Sequence, residues 1–573
     1  MNEMKNEIYS YHTFLFPFIW EVGDVTVDEI SQIREYFSAN KYWKTSEDIS
    51  AENKSLTKKE WIEKYANYQY FHPAFRKAVF DDENTMITCY DFDPSLIKNG
   101  AEYIIEKEEC TDGGSLKERY LVQRKYVLTI RGISIKVFNT GVAVFTMECV
   151  NTLYRNLEDI KKINDFGRRV SIPFIPDREN AGDAQYYWTQ SICADALTIR
   201  IKSGDDWENP IIAKEDFKSR ILKINDETKF DPDDIPEQCK HVCGCISELI
   251  LAGNEQKLPF TSATYDEKTK IDILPALDER MYVMSLIDKG KVQSPTEGKN
   301  FIKTLFDSNS FEDRDFIERL NEKERKSLYE YAYVDASDCS CQSQKMREEL
   351  LQECIYDRWG GYGTIYLITA QAFQCITDFS VTIKSFLTQY LELCTIVLAQ
   401  RASLINFQEV ALKLSDGLEQ CGKGINRKKI SKLMDLQERF IAFQNQINFQ
   451  EVSSQEQAVE LYGYLRKANF VDPLNQAITE QLDALYDATN TNQDFSFNKW
   501  ACILALIALG IDIPTFLFRA DGSMFPLEMT PDLTFMWSWD MAARIVILVI
   551  TIALVCIVAV KFRRKAKTKR RKK

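Results

Sequence analysis

Two apolar segments near the carboxyl end of the chain constrain its fold more than any other feature. Residues 541–560 carry Arg544 as their only charge, and a helix of about 20 apolar residues is what a bilayer core of roughly 30 Å requires. Residues 500–518 are apolar except for Asp512 and are interrupted by Pro514. The sequence therefore predicts a two-helix transmembrane hairpin near the end of the 573-residue chain.

The charges that flank these segments predict their orientation. The tail, residues 561–573, carries ten Lys and Arg residues, whereas the loop, residues 519–540, carries one Arg and four acids. Because positive charge is retained on the cytoplasmic side, we expect the tail in the cytosol and the short loop outside. Two spans return residues 1–499 to the cytosol, and the start of the chain lacks a signal-peptide pattern. We expect a multi-pass protein of the cell inner membrane with both termini cytosolic.

The composition of the chain excludes some classes of protein. With 45% hydrophobic and 12% aromatic residues, the body can bury a large core and form more than one domain. Removing the ten positive charges of the tail from the net charge of −13 leaves −23 on residues 1–560, which argues against nucleic-acid binding. His12 and His72 stand alone in the sequence, so no hydrolase constellation is visible and we expect no enzyme.

Fifteen cysteines are scattered along the chain, and a cytosolic body keeps them reduced, so we expect no structural disulfides. One cluster, Cys239, His241, Cys243 and Cys245, offers zinc ligands. Along a strand this spacing is too stretched for one tetrahedral ion without a sharp turn, and on a helix the residues split between opposite faces. Buried thiols are the favoured interpretation, with zinc as the alternative.

The first region of the body is predicted to mix strands and helices. Residues 1–330 are expected to form a cytosolic α/β sensor domain. The best strand signal is in residues 126–150, where alternating side chains surround an Asn-Thr-Gly turn at residues 139–141. This pattern predicts a β-hairpin.

The second region, residues 331–499, is predicted to be a stalk of long helices. Residues 364–418 contain no Pro and no Gly before Gly417, and they carry apolar side chains at helical spacing, although charged residues interrupt them too often for a third span. A further helix is expected over residues 427–451. Another is expected to begin with Asp472 as N-cap and Pro473 at the first helical position.

This order of segments resembles the CorA family of metal-ion transporters. In that family a Pro near the end of the first span precedes a Gly-Met-Asn-Phe loop and an acidic Met-Pro-Glu-Leu segment. Here Pro514 precedes residues 530–533, Thr-Pro-Asp-Leu. The resemblance implies a homopentamer with first-span helices around a central pore. It places at the pore mouth Gly522, Ser523, Met524 and Phe525.

The loop departs from the family pattern at the position that meets hydrated magnesium. Ser523 and Met524 stand where the family has Met and Asn. Magnesium selectivity is therefore not implied, and Mg²⁺ or another divalent cation is left as the transported or regulatory ion.

The body also resembles a divergent branch of CorA-like proteins, some of which are membrane effectors of type III CRISPR systems. The resemblance lies in residues 138–141, 163–169 and 397–403. It implies a nucleotide second messenger, an adenosylmethionine conjugated to AMP, as the ligand and antiviral defence as the role. We therefore hold a ligand-gated channel as the main hypothesis, with a nucleotide-activated effector that perturbs the membrane as the alternative.

In the first span, small residues and one acid recur at spacings of three and four residues, so their side chains fall on one stripe of a helix. A charge in a span is costly unless it faces protein or water, so Asp512 is a candidate pore residue, and five copies would form an acidic ring that favours cations. The alternative is that Asp512 bonds a neighbouring helix. The predicted pore-lining residues are Ala505, Ala508, Asp512 and Thr515.

Arg168 and Arg169 are the candidate ligand-binding residues of the body. Paired guanidinium groups suit a phosphate because each offers a planar fork of donors. The alternative is that both are solvated or paired with acids. The expected partners are therefore membrane lipid, further copies of the chain and a signalling nucleotide.

Overall fold

The computed structural model describes residues 7–21, 33–34, 37–38, 40–46, 58–80, 86–112, 119–172, 192–203, 207, 209–224, 242–251, 272–296, 299–300, 302, 305, 317, 320–336, 340–415 and 427–486. The chain divides into two compact units, residues 1–420 with 431–480 and residues 421–430 with 481–573. The described residues belong to the first unit, except residues 427–430 and 481–486 at the ends of two helices. The predicted spans, loop and tail lie outside the described residues.

A 13-stranded mixed sheet organises the first unit. Every strand pair in it is antiparallel except β10 with β15. The strands are β1 (Ser10–Glu21), β2 (Trp43–Thr45), β3 (Ile87–Phe92), β4 (Ala101–Asp112), β5 (Arg119–Phe138), β6 (Val142–Asn151), β7 (Ala196–Ile201), β8 (Ile211–Asp216), β9 (Asp272–Pro275), β10 (Tyr282–Asp288), β13 (Ile355–Tyr356), β14 (Ile365–Ile368) and β15 (Ala372–Thr377), while β11 (Pro295–Thr296) and β12 (Lys299–Asn300) form a separate pair.

The strand order along the main path is β13-β14-β15-β10-β1-β6-β5-β4-β7-β8. Strand β9 pairs with β1, and β3 joins β2 to β5. Strand β5 is 20 residues long and changes partner along one edge, because its first half pairs with β4 and its last residues pair with β3.

Helices cover the sheet and link its strands. They are α1 (Lys58–Tyr70), α2 (Pro73–Phe80), α3 (Pro94–Asn99), α4 (Leu157–Gly167), α5 (Phe217–Ile224), α6 (Gly244–Leu251), α7 (Glu322–Tyr333), α8 (Gln344–Cys354), α9 (Ser380–Leu387), α10 (Gln389–Ser415), α11 (Arg427–Gln446), α12 (Glu456–Ala468) and α13 (471–486). The structure thus confirms an α/β sheet domain with long helices.

The hairpin predicted over residues 126–150 is confirmed. Strands β5 and β6 pair in antiparallel register up to Val137 opposite Ala143. Gly141 closes the turn with a φ of 86°, a left-handed conformation that glycine adopts without a steric penalty.

The helix predicted from residue 364 begins only at Ser380, so that prediction is wrong for residues 365–377. These residues form β14 and β15, whose side chains are all buried. A strand buried on both faces lacks polar alternation, and periodicity alone does not separate it from a buried helix. The sheet therefore continues beyond residue 330, where the sequence predicts the stalk.

Among the described residues, one helical stretch, Ser380–Ser415, is long and apolar enough to cross a membrane by length and composition. Its longer part, α10, packs on β1 and β6. Leu393, Ile396 and Val397 are fully buried there. The apolar character of this helix therefore serves the core of the first unit.

The two faces of the sheet differ. On one face Phe14, Phe16 and Phe145 are fully buried in the main hydrophobic core, which also takes in side chains of α4 and α6. Burying each such side chain contributes about 1.5–3 kcal/mol. The opposite face lies under α10. There polar side chains replace apolar ones on β3, β5 and β6.

Candidate functional site

The two arginines predicted to bind a ligand lie at the end of α4. Arg168 is the C-cap residue of that helix, and both side chains are buried, with 3% and 7% of their surface exposed. The Arg168 guanidinium donates to Gln371 Oε1 at 2.8 Å and to the Val334 carbonyl at 2.7 Å, and it faces Asp165 at 3.5 Å. Arg168 is therefore held by the protein rather than solvated.

A backbone bridge brings a third arginine beside this pair. Arg169 and Arg280 pair across an isolated antiparallel bridge, and the Met281 amide donates to the Arg168 carbonyl at 2.7 Å. Arg280 binds Asp278 through a two-pronged contact, with distances of 3.1 and 2.6 Å. The segments 168–170 and 279–281 thus run together.

Arg168 and Arg280 border a cleft of about 100 Å³, here called the arginine cleft. Arg401 of α10 also lines it. The Nε atoms of Arg168, Arg169 and Arg401 are buried without a hydrogen-bond partner. The cleft is lined by Pro17, Arg168, Leu277, Asp278, Arg280, Met281, Tyr282, Ala370, Gln371, Leu398 and Arg401.

Positive charge exceeds negative charge in the arginine cleft, since three arginines face Asp278 there. Burial lowers the pKa of Arg168 to about 10; Asp165 opposes the shift, while Arg169 and Arg280 add to it. A guanidinium with that pKa still carries its charge at neutral pH. An anion entering the cleft would find donors whose charge the protein neutralises only in part.

Segments 138–141 and 163–169 both meet α10, which contains the segment 397–403. The Thr140 hydroxyl of the β5–β6 turn lies 2.7 Å from the Ser403 hydroxyl, and Asn406 donates to the Thr140 carbonyl at 3.0 Å. Arg168 and Arg401 border the same cleft. One helix therefore contacts both of the other segments.

A larger cavity of about 570 Å³, here called the sheet cavity, lies between the sheet and α10. Its floor is made by β3, β5 and β6, and its walls come from α1, α2 and α10. The lining residues are Thr45, Ser46, Lys64, Asn67, Phe71, Val79, Phe80, Ile87, Thr88, Cys89, Asp91, Ser134, Lys136, Thr146, Glu148, Leu387, Thr388, Gln389, Leu391, Glu392 and Thr395.

Strand register places the polar floor of the sheet cavity on one face. Asp91 lies opposite Ser134, and Ser134 lies opposite Thr146. Lys136 and Glu148, each two residues along, share this face because side chains alternate along a strand. Their neighbours Ile133, Ile135 and Val137 point into the hydrophobic core.

The charged groups of the sheet cavity perturb one another. Lys136 forms an ion pair with Glu392 of α10. Burial by itself lowers the pKa of Lys136, but Glu392 reverses the shift and the net pKa is raised. Burial raises the pKa of Asp91, and Glu392 adds to that shift. Burial also raises the pKa of Glu148, and Asp91 and Glu392 add to it, while nearby cations partly offset both shifts.

The sheet cavity was not predicted from the sequence. The alternation of Ser134 and Lys136 with apolar residues was interpreted only as a strand signal, and a polar face of a strand usually meets water. The signal that marks these residues as unusual is Glu392, an acid in the apolar first half of the helix that covers them.

The cysteine cluster is only partly described. Cys243 and Cys245 are buried free thiols whose sulfur atoms lie 2.9 Å apart, at the start of α6. Cys239 and His241 lie outside the described residues. Within the ranges given for the structure, no three His, Cys, Asp or Glu side chains lie close enough to hold a metal ion.

The predicted pore residues also lie outside the described residues. These are Ala505, Ala508, Asp512 and Thr515 in the first span and Gly522, Ser523, Met524 and Phe525 in the loop.

Comparisons with known proteins add no relative. No family model matches the chain, no curated protein is similar to it, and no solved structure matches its fold.

Proposed function

We propose that this chain is a CorA-like homo-oligomeric membrane channel, with five copies around the pore, whose cytosolic body binds a ligand that controls ion flow. The observation that carries the proposal is that α10 borders both cavities. Glu392 and Thr395 line the sheet cavity, and Leu398 and Arg401 line the arginine cleft. A 27-residue helix is about 40 Å long, so a shift at either cavity moves a long rigid element.

A hydrogen-bond network connects α10 to the helix that precedes the predicted spans in sequence. Arg466 of α12 donates to Gln400 Oε1 of α10 at 3.2 Å and to Asn448 Oδ1 at 3.0 Å. Its other nitrogen forms an ion pair with Asp472 in the first turn of α13. This arrangement links α10 to the first turn of α13.

The alternative function is a membrane effector of antiviral defence, activated by a nucleotide second messenger. The observation that favours it is the arginine cleft, a concentration of positive charge in a strongly acidic body. At about 100 Å³ the cleft is smaller than the 300–1,000 Å³ of whole-ligand pockets, so it fits one phosphate group of a larger ligand.

Flux through liposomes that contain the purified full-length protein tests both functions. A channel conducts cations while retaining a large trapped dye, whereas an effector that perturbs the bilayer releases the dye when the adenosylmethionine–AMP conjugate is added. We expect Asp512→Asn to reduce cation flux without changing oligomer size, because an amide does not replace the field of an acidic ring. Ion-impermeable liposomes under every condition would contradict both functions.

The ligand part of the alternative has its own test. We expect Arg168→Lys and Arg401→Gln to weaken binding of the conjugate by about tenfold or more, because a planar fork or a charge facing the phosphate is lost. The control is Arg358→Gln, since Arg358 pairs with Glu456 and Glu460 away from the cleft. Unchanged affinity in both cleft variants would remove the cleft from the ligand site.

Topology is tested by thiol labelling from outside the cell. An engineered cysteine in place of Ser523 should react with an impermeant reagent, and one in place of Ser496 should not. Labelling of both would contradict the two-span topology.

A further inference from the structure

The floor of the sheet cavity holds polar groups where a covered sheet face normally holds apolar ones. Three neighbouring strands contribute Asp91, Ser134, Lys136, Thr146 and Glu148 to this floor. Keeping polar and charged groups away from bulk water costs free energy unless partners compensate them. A floor of this kind is what a binding site for a polar ligand group requires.

One wall of the same cavity is apolar and aromatic. Phe71 and Phe75 stack with ring centroids 4.4 Å apart, and Phe80 packs against Phe71 at 5.9 Å. Phe71, Val79 and Phe80 line the cavity itself. A ligand that fills it therefore needs an apolar body beside its polar group.

The charges of the cavity favour a cation. Its lining contains three carboxylates, those of Asp91, Glu148 and Glu392, and two ammonium groups, those of Lys64 and Lys136. The Lys136–Glu392 ion pair accounts for one of each. Burial is the largest cause and raises the pKa of both carboxyls; Ser46, Lys136 and Lys64 oppose the shift of Asp91, and Arg131 and Lys136 oppose that of Glu148, yet the pKa of each stays raised. The protein's own cations thus compensate these two carboxylates only in part.

The volume of the cavity favours an organic ligand over a bare ion. Its volume of about 570 Å³ lies within the 300–1,000 Å³ typical of small-molecule pockets. Asp91 and Glu148 sit two strands apart, on β3 and β6, at a spacing of roughly 10 Å between strands. A cationic group placed between the two carboxylates is attracted by both, and the rest of the cavity volume can hold the remainder of an organic molecule but is not filled by a bare ion.

We propose that the sheet cavity binds a small organic cation, with its ammonium group between Glu148 and Asp91 and its apolar body against Phe71 and Phe80. This inference goes beyond the proposed function and does not depend on it, since a cation site in the body holds whether or not the chain conducts ions.

Three probes of similar size and different charge test the proposal. They are 2-phenylethylamine, which is cationic, 2-phenylethanol, which is neutral, and 3-phenylpropionate, which is anionic. Calorimetry on the detergent-solubilised full-length protein should show the amine binding about tenfold or more tighter than the alcohol, because hydrogen bonds to charged groups are stronger than neutral ones. The carboxylate should bind more weakly than the alcohol.

Variants locate the site. Glu148→Gln and Asp91→Asn should each weaken binding of the amine by about tenfold and leave binding of the alcohol unchanged. Phe80→Ala should weaken both probes. The matched control is Glu106→Gln, because Glu106 pairs with Lys125 on β4 and β5 and does not line the cavity. Thermal unfolding of each variant confirms that it is folded.

Several outcomes would overturn the proposal. Equal binding of the amine and the alcohol, or no binding of any probe at millimolar concentration, rejects the ligand class on wild-type protein alone. Loss of affinity in Glu106→Gln equal to that in Glu148→Gln rejects the site. Displacement of the amine by Mg²⁺ at equal concentration identifies an inorganic cation site instead.

Discussion

Lys136 of β5 and Glu392 of α10 form an ion pair that joins the floor of the sheet cavity to the helix above it. Only 12% and 22% of the two side chains are exposed, so water compensates neither charge fully. The Thr140–Ser403 hydroxyl contact joins the same hairpin to α10 about three turns farther along the helix axis. The hairpin and the helix are therefore fixed to each other at two points.

Removing one partner of the ion pair should destabilise the body. Lys136→Met leaves Glu392 partly buried without its cation, and breaking a buried pair costs about 3–5 kcal/mol, toward the lower end here because of the residual exposure. We expect a lower midpoint of thermal unfolding, measured by circular dichroism. The double variant Lys136→Met with Glu392→Gln should recover much of the loss, and a double variant no more stable than Lys136→Met would refute the pairing.

Acidification should destabilise the body through His12. This histidine is buried, with Nδ1 2.6 Å from Asn164 Oδ1 and Nε2 2.8 Å from the Ser10 hydroxyl. Burial lowers its pKa from 6.5 to about 4, although the bond to Asn164 opposes the shift.

The direction of this pH dependence follows from proton binding. Below pH 6.5 the unfolded chain protonates His12 and the folded chain does not, so stability is fully present above 6.5 and falls by about 3 kcal/mol as the pH approaches 4. Denaturation of His12→Asn across this pH range should show a shallower slope than wild type. His72→Asn, at the surface, controls for the substitution, and equal slopes in wild type and His12→Asn would contradict the assignment.

Replacing each of two glycines by alanine should change the stability of the body in opposite directions. A Cβ at Gly244, the first residue of α6, would lie 2.5 Å from the Lys214 carbonyl oxygen of β8. Gly244→Ala should cost about 1–3 kcal/mol, because backbone atoms must move to relieve the clash. Gly463 in α12 has no atom within 4 Å of that position. Gly463→Ala should therefore stabilise by about 0.5–1 kcal/mol, and thermal unfolding measures both.

Loss of the Arg466 guanidinium should loosen the start of α13. Arg466→Met removes its bonds to Gln400, Asn448 and Asp472, and hydrogen bonds to a charged group contribute about 1.5–3 kcal/mol each. We expect faster amide hydrogen exchange in residues 471–480. Arg358→Met is the matched control, since an exposed ion pair contributes little, and equal exchange in the two variants would contradict the role of Arg466.

Part of the sheet was predictable from local sequence patterns. The β5–β6 hairpin was predictable because alternating side chains and the turn at Gly141 are local signals. Strands β14 and β15 were not predictable, because β15 pairs with β10, almost 90 residues earlier, and burial on both faces removes the alternation.

The candidate site shows the same division. Arg168 was identified as a pair with Arg169, but its burial follows from Gln371 and Val334, which are remote in sequence. The sheet cavity forms only when three strands and three helices have come together, and only then do its polar residues differ from an ordinary solvent-facing set.

The position of β1 in the middle of the sheet has a consequence for synthesis on the ribosome. β1 is made before its three partners β6, β9 and β10, and the last of these begins at Tyr282. At about 5–20 residues per second, the apolar segment Ser10–Glu21 waits roughly 15 s to a minute for that partner. A nascent chain that exposes both edges of this Phe-rich strand for so long is a substrate for chaperones, and the yield of this protein should depend on how quickly one binds it.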